Sequence, residues 1–321
     1  MKNFALIATA CLPFVLVIAC RSAPTNIATD AAKPENASVN ASSEPKLSEA
    51  KPPTFSPNSS PDTSEAVQFP FPDFPKVATT AKAGDYVLAP SYNWIKDAAD
   101  KGAETASFIW YVQKMSQPDT DNSELQFLSE RRKVPNAYII AIPPRQSAKK
   151  GDVVLTWWQT GSGMQRAIVV DDTEPTRPIV RYLDIAFDNP AKASDGVTTI
   201  GKMDEKLIPD SFVKLKAWDP GSTVAVQQGA NQRYAKVIRV AGNQVLVLEG
   251  SNLRVYPKAN CQSLPLMPRV SPGDRVKAPR YGQNFAAATA VSVDGRNGRV
   301  LVKFDGDREN QAIAYGNLGR D

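Results

Sequence analysis

The sequence predicts an all-β chain of four tandem small barrels, carried behind a signal peptide and a disordered linker. Three observations predict it. Residues 21–75 hold 10 of the 26 prolines and none of the 18 glycines, so the texture of the chain breaks near residue 75. Beyond residue 80 the sequence consists of short β-rich runs interrupted by Gly, Asn and Asp. Within those runs one glycine-turn phrase recurs four times, as expected of repeated supersecondary units.

The chain opens with one positive charge, Lys2, followed by an apolar run from Phe4 to Ala19 broken only by Thr9 and Pro13. That run is shorter than the roughly 20 apolar residues of a permanent spanning helix. A charged start, an apolar middle and a small residue at the end make residues 1–19 a secretory signal peptide. The stretch Val17-Ile18-Ala19-Cys20 resembles the bacterial lipobox. The resemblance implies a diacylglyceryl thioether on Cys20, cleavage before it and acylation of the new N-terminus. It makes a membrane the first expected partner, because several acyl chains anchor stably where one binds only marginally. Arg21, rather than an acidic residue, follows Cys20. By the same resemblance this favours the outer membrane in a host that has one.

Residues 20–75 are rich in Ser, Pro, Ala and Asn, with too few apolar residues to bury a core. Proline stiffens such a segment toward extended polyproline conformations. Its end, Phe69-Pro70-Phe71-Pro72-Asp73-Phe74-Pro75, places three aromatics where they can dock on the first folded unit or on a partner. Asn36, Asn40 and Asn58 stand in Asn-x-Ser sequons, which read as incidental in a bacterial export context. Residues 21–75 carry 4 Lys and Arg against 7 Asp and Glu, whereas residues 76–321 carry 33 against 26. A net-positive folded part suits anionic surfaces such as lipid headgroups or wall polymers. Export removes nucleic acid from the expected partners.

Composition also narrows the chemistry. Cys11 leaves with the signal peptide and Cys20 carries lipid, so Cys261 is the remaining thiol and no internal disulfide can form. Its context, Asn260-Cys261-Gln262-Ser263, reads as a strand end, with the thiol acting as a small buried hydrophobe. The chain contains no His. That excludes Ser-His-Asp and Cys-His catalysis and removes the commonest zinc ligand. No cofactor and no metal are expected.

The repeat divides the folded part into units at 76–146, 147–216, 217–268 and 269–321. The opening phrases are Ala83-Gly84-Asp85-Tyr86-Val87, Lys150-Gly151-Asp152-Val153-Val154, Pro220-Gly221-Ser222-Thr223-Val224 and Pro272-Gly273-Asp274-Arg275-Val276. The turn residues reverse the chain and the alternating residues after them start a strand. A second strand is expected at Phe108–Val112, Ala167–Val170, Ala235–Val240 and Ala288–Val293. A third is clearest at Val245–Leu248 and Val300–Phe304, where Val300, Val302 and Phe304 share a face. The units close near Ile142, Leu207, Leu264 and Leu318, and a brief helix is expected between Asp97 and Thr105. Pairwise stacking of the four barrels is the expected arrangement.

The last unit resembles the Tudor and agenet group of SH3-like barrels. The likeness rests on Pro272-Gly273-Asp274-Arg275-Val276-Lys277-Ala278-Pro279, on the strands to Val293 and Phe304, and on Tyr315-Gly316-Asn317-Leu318. The third unit fits less closely, and the first two only in outline. The resemblance implies an aromatic cage for methylated Lys or Arg, which works by cation–π attraction. Tyr281, Phe285, Phe304 and Tyr315 are its candidate walls, with Phe304 expected in the core.

Three further clusters stand out. Tyr281 and Phe285 fall in the first hairpin loop of the last unit, and Trp157-Trp158 sits in the corresponding loop of the second; neighbours on a strand face opposite ways, so one is expected inside and one outside. An outside Trp could stack on a sugar or peptide, while packing against a neighbouring barrel is the plainer use. Gly161-Ser162-Gly163 lacks the strand-to-helix context and following Lys of a phosphate loop. Asp171, Asp172, Asp184 and Asp188 offer oxygens without EF-hand spacing and read as a solvated surface. The expected function is a non-catalytic binding or scaffolding module of the cell envelope, its partner a wall polymer or envelope protein. A carboxylate-dependent hydrolase of such a polymer is the alternative, and recognition of methylated peptide a third.

Overall fold

The computed structural model describes residues 68–102, 106–159, 163–185, 204–280 and 283–320. Cys20, the signal peptide, the three sequons, Asp188 and Tyr281 lie outside the described residues. Among those described, no helix is long and apolar enough to cross a membrane.

Four five-stranded antiparallel sheets follow one another along the chain, all with the same strand order. The first comprises β1 (Tyr86–Pro90), β2 (Trp110–Gln117), β3 (Asn122–Phe127), β4 (Glu130–Pro135) and β5 (Ile140–Ile142). Its order, β4-β3-β2-β1-β5, puts the opening strand between the second and the last. The second sheet uses β6 (Val153–Trp157), β7 (Met164–Asp171), β8 (Ile179–Tyr182), β9 (Asp204–Lys206) and β10 (Val213–Lys214). The third uses β11 (Thr223–Gln228), β12 (Asn231–Ala241), β13 (Gln244–Glu249), β14 (Asn252–Pro257) and β15 (Cys261–Ser263). The fourth uses β16 (Arg275–Pro279), β17 (Phe285–Asp294), β18 (Arg299–Phe304), β19 (Gln311–Ala314) and β20 (Gly319–Arg320).

The recurring phrase is one turn built four times. Lys82–Asp85, Lys149–Asp152, Asp219–Ser222 and Ser271–Asp274 each close with a backbone bond of 2.9–3.1 Å from the fourth residue to the first. The glycine in third place has φ of +89°, +89°, +89° and +95°. A type II turn demands that positive φ and favours Pro just before it, as Pro220 and Pro272 supply. The glycine N–H then donates to the second strand, at Met115, Val169, Val237 and Ala290, each at 2.8 Å. In three units the closing Asp accepts from the backbone N–H three residues earlier, at 2.8–2.9 Å. The third unit has Ser222 there, fully buried and with its Oγ unpartnered. Its aspartate, Asp219, has moved one turn earlier and accepts from Lys216 N at 2.8 Å.

A second shared feature bends every sheet. The pairing of the second and third strands slips by one residue at Ser116, Val170, Ile238 and Val291. A bulge raises local twist and kinks the strand, which lets a small sheet curl on itself.

The single helix of the described residues, α1 (Tyr92–Lys101), starts five residues before the expected Asp97 and stops at Gly102. Gly102, at φ +91°, donates to Ala98 O at 2.9 Å and ends it. The second unit also closes later than expected, at β10 rather than near Leu207. The aromatic end of the linker docks on the first unit: Phe69 meets Tyr138 edge-on at 5.0 Å and Phe74 is buried.

The four sheets form a ring rather than stacked pairs. Tyr86 packs on Trp157 at 5.1 Å, joining the first sheet to the second. Arg299 Nη2 donates to Tyr182 O at 3.1 Å, joining the fourth to the second. Arg233 bridges to Asn284 between the third and the fourth. Phe108 N donates to Ser251 O at 2.7 Å, closing the ring from the first to the third. The second and third units keep small cores of their own. One larger apolar cluster runs through all four, from Phe74 and Trp110 through Trp157 and Leu246 to Val300 and Leu318. A shared core makes one folded body, since burial of that surface is lost to every unit if the units part.

Candidate functional site

Where the second, third and fourth units meet, β7, β12, β18 and the end of the fourth unit bring charged side chains together. Ala167 and Val169 of β7 pack in the second unit's own core, while Met164, Arg166 and Ile168 alternate on the face toward the shared apolar cluster, so the strand period forces a guanidinium between units. Arg166 is fully buried. A buried cation is tolerated only when paired and fully hydrogen-bonded. Its Nη2 reaches Asp184 Oδ1 at 2.7 Å and its Nε the same oxygen at 3.1 Å. Nη1 donates to Tyr315 O at 3.1 Å, and Nη2 also to Asn317 Oδ1 at 2.8 Å. Gly316, at φ +83°, brings that backbone so close that a Cβ would strike Arg166 Nη1. Thr223 Oγ1, from the third unit, donates to Gly316 O.

Lys236 of β12 completes the group, its Nζ 2.9 Å from Asp184 Oδ2. Burial by itself would raise the Asp184 pKa; Arg166 and Lys236 outweigh it and hold the carboxyl well below the usual range. Arg299 of β18 is 3% exposed and donates to the carbonyls of Tyr182 and Gly298 at 3.1 and 3.3 Å. Desolvation lowers its pKa to about 10. Beside these groups lies a cavity of about 430 Å³, lined by Asp184, Tyr234, Lys236, Arg299 and Asn317 and walled by Leu248 and Ile313. Burial pushes the Tyr234 hydroxyl pKa up, so the phenol stays a neutral donor.

The residues singled out in the sequence do not converge there. Trp157 is 1% exposed and serves the contact between the first and second units. Trp158 is half-buried against the core of the second unit rather than exposed. Phe285, the first residue of β17, is half-buried, Tyr315 is buried, and Phe304 is in the core beneath Arg280 at 5.6 Å. Among the described residues, the exposed large apolar side chains are aliphatic: Ile109, Leu128, Met267, Val291 and Val293. Cys261 is half-buried, not enclosed, and desolvation pushes its thiol up to about 11. The acidic residues part company. Asp171 is exposed and accepts from Thr173 N, while the Asp184 side chain is 14% exposed and ion-paired. No group of three or more potential metal ligands occurs among the described residues. Arg166, Lys236 and Arg299 escaped sequence reasoning; the signal available was a cation on the inward face of an apolar strand.

Comparison with known proteins adds little to this geometry. No protein-family model matches the chain and no curated relative does. Among solved structures it is similar to the AGD34 segment of Arabidopsis thaliana AGDP1. The identity is 16%, the match covers 32% of this chain and 82% of that one, and the TM-score is 0.20.

Proposed function

We propose that this chain is a lipid-anchored, exported binding module of the cell envelope that engages its partner without turning it over. The observation that carries the reading is the junction cavity. Among the described residues its lining includes the charged side chains Lys236, Arg299 and Asp184, on a body whose four units share one core. A hydrolase of the kind considered from the sequence needs a carboxyl kept protonated near neutral pH. Asp184 is held the other way, ionised between two cations. Such a residue orients and neutralises but does not donate a proton. The aromatic-cage reading lacks support, since Phe304 and Tyr315 are buried.

The anchor is tested on the full chain expressed in a bacterium. The mass of the N-terminal peptide should show a cleaved, acylated Cys20, and Cys20→Ala should move the protein from the detergent phase to the aqueous phase. An exported, mature chain with unmodified Cys20 would sink the anchor. The binding role is tested by pull-down of the anchored protein with envelope extract. A partner retained at low salt and lost at high salt is expected, because exposed charges are screened. No retained partner, polymer or protein, would contradict it.

A further inference from the structure

We propose that the junction cavity between the second, third and fourth units is a binding site for a small molecule carrying one oxyanion group, carboxylate or phosphate. The inference deepens the binding-module reading and rests on it for its biological sense, though not for its physics.

Charge balance is the first argument. Arg166 is fully buried, Arg299 is 3% exposed and the Lys236 side chain 14% exposed. Among the described residues, one carboxylate stands within ion-pair distance of these three cations, Asp184, which Arg166 and Lys236 share. Asp294, whose charge also acts on Arg299, is engaged by Asn297, whose backbone N–H reaches it at 3.0 Å. Arg299 has carbonyl oxygens for partners, which offset only part of a full charge taken out of water. Buried charge without a counter-charge is costly, so a site with this excess favours an anion.

Shape is the second argument. Cavities that take small ligands span roughly 300–1,000 Å³, and this one is about 430 Å³. Its lining includes polar residues from the third and fourth units: Lys236, Arg299, Asn317 and Tyr234 border the same space. Leu248 and Ile313 give the rest of the ligand an apolar wall. Arg and Lys together suit an oxyanion, one as a planar fork and the other as a point charge. Asp184 sits beside both cations and excludes a second anionic group from the near wall.

The experiment titrates the full chain by calorimetry with inorganic phosphate, acetate and glycerol 3-phosphate, with glycerol as neutral control and chloride matching the ionic strength. Saturable binding of at least one anion, with Kd of ~1 mM or tighter, and none of glycerol is expected. Arg299→Met should weaken that binding roughly tenfold or more, the scale of a lost charged hydrogen bond. Ala312→Leu provides a second test that leaves every charge intact: Ala312 lines the cavity, so the larger side chain narrows it. It should weaken binding at an unchanged melting temperature in chloride. Preference among the three anions identifies the oxyanion. Absence of saturable binding, or binding indifferent to Ala312→Leu, overturns the proposal. Anion binding without an envelope partner would sink the envelope reading alone, while an envelope partner without anion binding would sink the cavity alone.

Discussion

Arg166 and Asp184 form a forked ion pair, Nη2 to Oδ1 at 2.7 Å and Nε to both oxygens at 3.1 and 3.3 Å, and the same guanidinium holds Tyr315 and Asn317 of another unit. One side chain therefore orders an acid of its own unit and a backbone turn of the fourth. Removing one partner of a buried pair leaves the other uncompensated and typically costs about 3–5 kcal/mol. Arg166→Met should destabilise the chain by that amount in urea unfolding. Arg166→Met with Asp184→Leu should cost clearly less than the sum of the two single changes. Additive losses would show that the two groups are not coupled.

The same pair sets an acid dependence. The folded-state pKa of Asp184 lies below the unfolded value of about 3.9 because Arg166 and Lys236 prevail over burial. A depressed carboxyl contributes stability that is fully present above the unfolded pKa and is lost as pH falls toward the folded one. The stability gap between the wild type and Asp184→Asn should be constant from pH 5 to 8 and shrink below pH ~4. Thermal unfolding across that range checks it, and a gap that widens in acid would be the wrong sign.

Two glycines with one backbone conformation should behave differently. Gly84 and Gly221 both have φ +89°, which an L side chain adopts at a cost of roughly 1–2 kcal/mol. A Cβ on Gly84 meets nothing within 4 Å, whereas on Gly221 it strikes Leu155 of the second unit. Gly84→Ala should cost the conformational part alone. Gly221→Ala should cost more, and less in a Leu155→Ala background than in the wild type. Equal losses at the two positions would contradict the contact between units.

Trp157→Ala should open a hole between the first and second units and cost about 3–5 kcal/mol, as for other buried aromatics. Trp158→Ala, at a half-buried position, should cost visibly less. Chemical denaturation of both variants is the test. A Trp157→Ala protein of unchanged stability would return that residue to the list of surface candidates.

What the sequence showed follows from which residues have no substitutes. The turns were legible because a positive φ selects glycine and the cap selects Asp, so Gly84, Gly151, Gly221 and Gly273 stand out unaided. The bulges were not legible, because Ser116, Val170, Ile238 and Val291 share no chemistry and nothing in a bulge requires them to. The helix lies at Tyr92–Lys101, bounded by Ser91 and Gly102, and overlaps only part of the stretch from Asp97 to Thr105 that the sequence suggests. The junction was hidden for a different reason. Arg166 finds Tyr315 and Asn317 149 and 151 residues away, and no local pattern records a contact of that span. Trp157 was weighed both as a surface aromatic and as a packing residue, and only the ring of units decides for packing.

The central claim is that the chain binds its envelope partner and leaves it intact. It is tested most directly by incubating the full chain with purified envelope polymer and reading sedimentation and soluble products from one sample. The account predicts co-sedimentation that weakens with salt, with no released fragments. Fragments released by the wild type and abolished by replacing a single Asp or Glu would contradict it and make the protein a hydrolase.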